Sequence, residues 1–291
     1  MPDTTENLLE RVRAIMPDLA IEHFERNHEG LINDILIINH KFVFRFARTE
    51  EYARLLEVET KILDLIRPQV GISVPAPFYV SHGCMVYRLL SGQPLSRKTV
   101  MAFNESAQYH IAEQLGTFLH RLHNIDISLV ETEIPSTRTY VKRQEWLEIR
   151  ESVRDKIYPL LQNYQIEWVE DLFNAVLEKP DAFEYAPAFI HGDLASYHFL
   201  FDDQACKITG VFDFGMAGIG DPASDLGNLI NIYGESFVQK MHKTYPDLDK
   251  YLPRARFYAQ ALELEWILRG LESGETFWFT AHLGSARDIQ S

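Results

Sequence analysis

Two acidic segments a short hairpin apart constrain this chain more than any other feature. Ala188-Phe189-Ile190-His191-Gly192-Asp193-Leu194-Ala195-Ser196-Tyr197-His198-Phe199-Leu200 is followed, fifteen residues after His198, by Asp213-Phe214-Gly215. Between them, Phe199-Leu200-Phe201 and Ile208 to Phe212 read as two short strands. A fold for this chain must therefore present Asp193 and Asp213 on either side of a hairpin.

The surroundings of that unit divide the chain. Leu8, Leu9, Val12, Ile15 and Met16 recur at helical spacing, and Ile35 to Ile38 with Phe42 to Phe46 flank an Asn39-His40-Lys41 turn. Leu55, Leu56, Ile62, Leu63 and Ile66 form a helical stripe that ends before Pro68. Val74 to Val80 and Cys84 to Leu89 read as two more strands, and Ser91-Gly92-Gln93-Pro94 is a turn cluster. The pattern then becomes mainly helical, over 111–123, 143–164, 166–177 and from Asp225 through Trp266. The expectation is an α+β protein with a strand-rich unit over residues 1–92 and a helical unit over residues 93–291 carrying the catalytic loop. With 46% apolar residues in 291 there is material for a substantial core, and no internal repeat is visible.

Charge and cysteine content narrow the classes. The formal charge of −14 argues against nucleic acid as a partner and favours cationic or metal-bridged ligands. No apolar run approaches the roughly 20 residues that cross a bilayer, so no membrane association is expected. Cys84 and Cys206 form no CxxC pair, and the start lacks a basic and apolar leader, which together point to the cytoplasm.

The chemistry of the two acidic segments is that of phosphoryl transfer. In the kinase signature a His-x-Asp-Leu loop supplies a carboxylate to the acceptor hydroxyl, the residue five positions later binds metal, and the Asp of Asp-Phe-Gly binds metal. Asp193, His198 and Asp213 occupy those three slots. Triphosphate charge needs divalent cations, and a separate carboxylate must orient the nucleophile. The alternative is that both aspartates merely hold turns. Glu59 falls inside the apolar stripe of its helix and needs a cation, for which Arg45 on the hairpin is the candidate. Such a pair positions the α- and β-phosphates in kinases; otherwise both are surface charges. Asn27 to Asp34 has one glycine, so Gly30 and the Asn33 side chain are candidates for phosphate contact, with an ordinary hairpin turn the equal alternative.

These segments resemble the aminoglycoside phosphotransferase family of protein-kinase-like enzymes, over nearly the whole length. Beside His191-Gly192-Asp193 and Asp213, the resemblance rests on Gly220-Asp221-Pro222-Ala223-Ser224-Asp225, Leu115-Gly116-Thr117-Phe118-Leu119 with Leu122-His123, and Gly92-Gln93-Pro94-Leu95. It implies a bilobal fold, a small antiparallel-sheet N-lobe and a mostly helical C-lobe with the nucleotide between them. It implies Asp193 as catalytic base, Asp213 and His198 as magnesium ligands, and a Tyr87 to Leu90 linker, with Tyr87 and Leu89, against the purine of ATP or GTP. Two positions depart from the usual family pattern: His198 stands where most members have Asn, and Arg45 where many have Lys. His at that slot resembles the aminoglycoside 2″-phosphotransferases and the macrolide phosphotransferases.

The implied activity is magnesium-dependent transfer of the nucleotide γ-phosphate to a hydroxyl of a small molecule, an aminoglycoside first. A macrolide, a metabolic sugar or amino alcohol, and a pseudokinase role are the alternatives. Glu235 and Glu263, with Glu265, Glu272 and Glu275, lie where the family builds its acceptor pocket. Trp266, with Phe277, Trp278 and Phe279, forms either an apolar wall there or part of the core. His120 and His123 are read as helix surface, and Lys142 and Arg143 as solvated. Donor choice and oligomeric state stay open.

Overall fold

The computed structural model describes residues 4–27, 32–131, 134 and 142–274. Helix α1 (Thr5–Ile15) is capped by the Thr4 side chain, which accepts from the Asn7 amide. Strands β1 (Phe24–Asn27), β2 (Asn33–Ile38) and β3 (Phe42–Ala47) lead to helix α2 (Glu50–Ile66), then to β4 (Pro77–Ser81) and β5 (Cys84–Arg88). These five strands make one antiparallel sheet in the order β1-β2-β3-β5-β4.

Strand alternation decides what each face of this sheet carries. Leu36, Ile38, Phe44, Phe46, Cys84 and Val86 pack on Leu8 and Val12 of α1. Val43, Met85 and Tyr87 face the other way and join the α2 residues Leu56, Ile62, Leu63 and Ile66. Arg45 pairs in register with Met85 and lies on that second face, toward α2. Helix α2 is capped by Thr49, carries Glu50 and Glu51 in its first turn, and ends ahead of Pro68.

The remaining elements are β6 (Gln93–Pro94), α3 (Arg97–Ala102), α4 (Glu105–His123), α5 (Arg143–Lys156), α6 (Asn163–Leu177), β7 (Ala188–Ile190), β8 (Phe199–Asp202), β9 (Lys207–Val211), β10 (Gly218–Gly220), α7 (Pro222–Tyr233), α8 (Glu235–Val238) and α9 (Leu248–Ser273). The expected helix over 143–164 is broken: α5 ends at Lys156, and Pro159, which has no N–H to donate, sits in a 3₁₀ turn before α6. The expected hairpin is β8 with β9, joined at its edge by β6. Two short strands that lack periodicity, β7 and β10, pair on either side of it.

Helices α7 and α9 pack closely because Gly227 has no side chain; a Cβ there would lie 2.7 Å from Cβ of Tyr258. Trp146, Phe173, Phe257 and Tyr258 fill the space between α5, α6 and α9, with the Trp146 and Phe257 ring centroids 4.9 Å apart. The main core is continuous from Leu56 and Met85 through Leu95 and Phe199 into these helices. The two halves are thereby pinned together, and the Ser73 carbonyl accepts from the Val211 amide at 2.9 Å across them.

Candidate active site

Strand β7 is fully covered, and it delivers His191-Gly192-Asp193 to the end of the helical half. Gly192 has φ +85°, a conformation that favours glycine. The loop backbone is held by Asp225 in the first turn of α7. Its carboxylate accepts from the His191 amide at 2.8 Å, from the Gly192 amide at 2.9 Å and from Nε2–H of His123 at 3.0 Å. Burial pushes the Asp225 carboxyl up, but His123, His191 and the loop amide outweigh it and hold the carboxyl below its ordinary value. Tyr245 in turn donates its hydroxyl to Nδ1 of His123 at 2.7 Å. Asp221 caps α7 and pairs with Arg254 at 2.6 Å, which fixes the helix that carries Asp225.

His191 is completely buried and neutral, its pKa lowered to about 4 chiefly by burial. Nδ1 accepts from the Asp193 amide and Nε2–H donates to the Phe212 carbonyl, so the ring stitches the His191-Gly192-Asp193 loop to the segment before Asp213.

His198 connects the two acidic segments. His198 donates Nδ1–H to the Asp193 carbonyl at 2.8 Å, and Nε2 lies 3.4 Å from Oδ2 of Asp213. Asp213 adopts φ +66°, and its side chain is 41% exposed, open to the cleft. Burial acts to raise its pKa, yet His198 and Arg45 lower it well below the usual carboxylate range. His198 is raised: burial lowers it, and Asp213 and Asp193 more than reverse this. Asp193 is half-buried and raised, first by burial and then by Asp213.

The sheet half supplies the opposite wall. Arg45 donates to Glu59 at 2.6 Å, with side chains 7% and 2% exposed. Burial pushes the Glu59 carboxyl up, while Arg45 and the Phe214 amide draw it back. A Cβ on Gly215 would lie 3.6 Å from Asp213 Oδ1 and 3.7 Å from Glu59 Oε2, so that glycine sits between the two halves of the site. Arg45 and Glu59 thus lie beside Asp213, and His198 joins Asp213 to the Asp193 segment, so the five residues gather where the two halves meet. Asp213 Oδ2 and the outer nitrogen of His198 face each other at the separation that neighbouring ligands of one divalent cation share, so this donor pair fits a metal.

Other expected positions are placed differently. Asn33 opens β2 and is 2% exposed, and its Oδ1, an acceptor, has no hydrogen-bond partner among the described residues. Gly30 lies outside the described residues. Tyr87 is buried beside Arg45, its pKa raised to about 12 by burial, so its ring lines the inner wall. The Leu89 amide donates to the Lys41 carbonyl at 2.8 Å and is not available to a purine; what Leu89 presents is a 39% exposed side chain.

Glu235 is a correction: its side chain is completely covered, and both oxygens accept from Arg256. A carboxylate already neutralised inside the fold does not recruit a cationic acceptor. Glu263 accepts from Asn231 at 2.9 Å, and Trp266 carries the Arg269 guanidinium 5.2 Å from its ring centroid. Glu265 pairs with Arg269 and Glu272 with Lys156. Arg269 also exerts its charge on Asp193. Glu275, Phe277, Trp278 and Phe279 lie outside the described residues. Arg143 is not solvated, since Nε donates to the Leu177 carbonyl at 3.0 Å. His123 is not helix surface either. It follows Leu115, Phe118, Leu119 and Leu122 in the buried stripe of α4, a signal that was present in the spacing.

The chain matches the family described as "Phosphotransferase enzyme family" over residues 23–258. It is 29% identical over 227 residues to viomycin phosphotransferase from Streptomyces vinaceus, covering 74% of this chain and 75% of that one. The solved GDP and kanamycin complex of APH(2″)-IIIa superposes with a TM-score of 0.84 at 26% identity, covering 95% of this chain and 96% of that one. The GDP complex of wild-type aminoglycoside 2′-phosphotransferase-IIIa gives 0.86 at 26% identity, over 97% and 96% of the two chains. The family match runs from His23 to Tyr258 and encloses the whole cleft, from Arg45 and Glu59 to Asp193, His198, Asp213 and Asp225, so this chain belongs to the phosphotransferase enzyme family.

Proposed function

We propose that this phosphotransferase moves the γ-phosphate of ATP or GTP to a hydroxyl of an aminoglycoside. The observation that carries the reading is the convergence of the Arg45–Glu59 ion pair with Asp213, His198 and Asp193 in one cleft between the sheet and the helices. Arg45, fixed by Glu59, faces the triphosphate. Asp193 accepts a hydrogen bond from the acceptor hydroxyl and takes its proton as the phosphate is transferred in line. Its raised pKa makes the carboxylate a stronger base, which suits a group that must take that proton. Asp213 and His198 would hold magnesium, which when bound would neutralise charge on the phosphates. In this reading residues 1–92 form the nucleotide-binding lobe and residues 93–291 the helical lobe with the catalytic loop and the acceptor site.

The aminoglycoside is supported by the kanamycin and GDP complex of a relative of the same fold at 26% identity. On the acceptor side, Glu263 and Trp266 remain the recognition candidates, and Glu235 does not. Viomycin is a second acceptor to weigh because of the 29% identity to its phosphotransferase. A macrolide or a metabolic hydroxyl compound ranks behind both. An ATP- or GTP-using enzyme of this kind would work in the cytoplasm, and no described helix is long and apolar enough to cross a membrane.

The test is magnesium-dependent release of nucleoside diphosphate from ATP and from GTP, with kanamycin, gentamicin, viomycin, erythromycin or no acceptor. The expected result is stimulation by an aminoglycoside, lost by about 10²–10⁴-fold in Asp193→Asn with nucleotide affinity within a few-fold of wild type. Stimulation by erythromycin alone, or by no acceptor at all, overturns the aminoglycoside assignment. Near-native turnover in the variant overturns the role of Asp193.

A further inference from the structure

On the sheet half, His23, Glu25 and His40 bring three potential metal-ligating side chains together. His23 precedes β1, Glu25 lies two residues on and therefore on the same side of that strand, and His40 sits in the turn between β2 and β3. The His23 and His40 rings stack with centroids 4.2 Å apart and an interplanar angle of 24°. Glu25 Oε1 is 3.3 Å from Nδ1 of His40 and 3.9 Å from Nε2 of His23. One ligand atom from each of the three lies within 4.8 Å of the others.

The backbone beneath this group is built rather than incidental. Asn39 and His40 have φ +53° and +50°, the left-handed pair that a tight hairpin turn requires. The Asn39 side chain accepts from the Glu22 and His23 amides at 2.9 and 3.0 Å and donates to the Ala20 carbonyl at 2.7 Å. The Asn39 amide donates to the His23 carbonyl at 2.8 Å. His23 and the His40 turn are thus locked side by side by main-chain geometry, while the three side chains are 48%, 52% and 62% exposed and free to close on an ion.

We propose that His23, Glu25 and His40 form a surface site for a borderline divalent transition-metal ion, of which Zn2+ is the probe. Two imidazoles and a carboxylate are the donor set such an ion prefers, whereas magnesium favours sites richer in oxygen donors. Three protein ligands leave the last position to water or to a ligand from outside. The bound ion ties the segment before β1 to the β2–β3 turn and so stabilises β1, an edge strand of the sheet.

The experiment is calorimetric titration of chelator-treated full-length protein with Zn2+, alongside thermal unfolding with and without the ion. The variants are His40→Asn, chosen because Asn tolerates a positive φ, and Glu25→Gln on the exposed face of β1. Wild type is expected to bind one Zn2+ more than His40→Asn, with affinity about tenfold or more above that of Glu25→Gln. Its Tm rises with Zn2+, a rise absent from His40→Asn, and Mg2+ reproduces neither effect. Equal Zn2+ stoichiometry and an equal Tm response in wild type and His40→Asn overturn the site. The cleft residues are untouched, so either result is independent of the acceptor assignment.

Discussion

His198 turns one ring nitrogen to the Asp193 carbonyl, 2.8 Å away, and thereby aims the other at Asp213. A carbonyl only accepts, so Nδ1 carries the proton, and Nε2 is the nitrogen that would offer its lone pair to the proposed metal. The substitution His198→Asn replaces that nitrogen with a harder oxygen donor. The Mg2+ to Mn2+ ratio of kcat is expected to rise several-fold in the variant. Steady-state rates in each metal give the answer, and an unchanged ratio removes His198 from the ligand set.

Arg45 and Glu59 are a buried pair, and removing one partner costs more than removing both. Arg45→Met strands a carboxylate that is 2% exposed, for an expected loss of about 3–5 kcal/mol in urea unfolding. The double substitution Arg45→Met with Glu59→Leu is expected to regain most of that stability and none of the nucleotide affinity. Recovery of a native KM for ATP in the double variant would show that the pair is structural only.

Asp225 touches no reacting atom in this arrangement; it positions the loop that carries Asp193. Asp225→Ala leaves the His191 and Gly192 amides and His123 without their acceptor, for an expected cost of about 3–5 kcal/mol. Where the variant stays folded, kcat falls and the KM for nucleotide holds. Loss of nucleotide affinity with kcat retained contradicts this role.

His191 makes stability depend on pH. Its folded pKa of about 4 lies below the ordinary 6.5, so the unfolded chain binds a proton that the folded chain refuses between those values. The contribution is complete above 6.5 and drains away as pH falls toward 4, by at most about 1.4 kcal/mol per pH unit. His198 and His82, both raised, act with the opposite sign, complete below 6.5 and lost as pH climbs. Urea midpoints near neutral pH and about two units lower should therefore fall more for wild type than for His191→Asn. Parallel falls would assign the acid sensitivity elsewhere.

The amino-acid sequence alone determined the local parts of this site. The β8–β9 hairpin, the three slots at Asp193, His198 and Asp213, and the position of Glu59 within an apolar stripe all follow from spacing and periodicity. Those signals arise because a strand repeats every two residues and a helix every 3.6. Tertiary structure decided everything that depends on distant chain segments meeting. Asp225 reaches back to His191 and across to His123, Arg256 consumes Glu235, and Lys41 takes the Leu89 amide. No periodicity announces such pairings: a carboxylate destined for an internal Arg and one facing a ligand look alike in a sequence. Only the packing of α7 on α9 and of the sheet on the helices settles which charge is neutralised inside the fold and which is left facing the cleft.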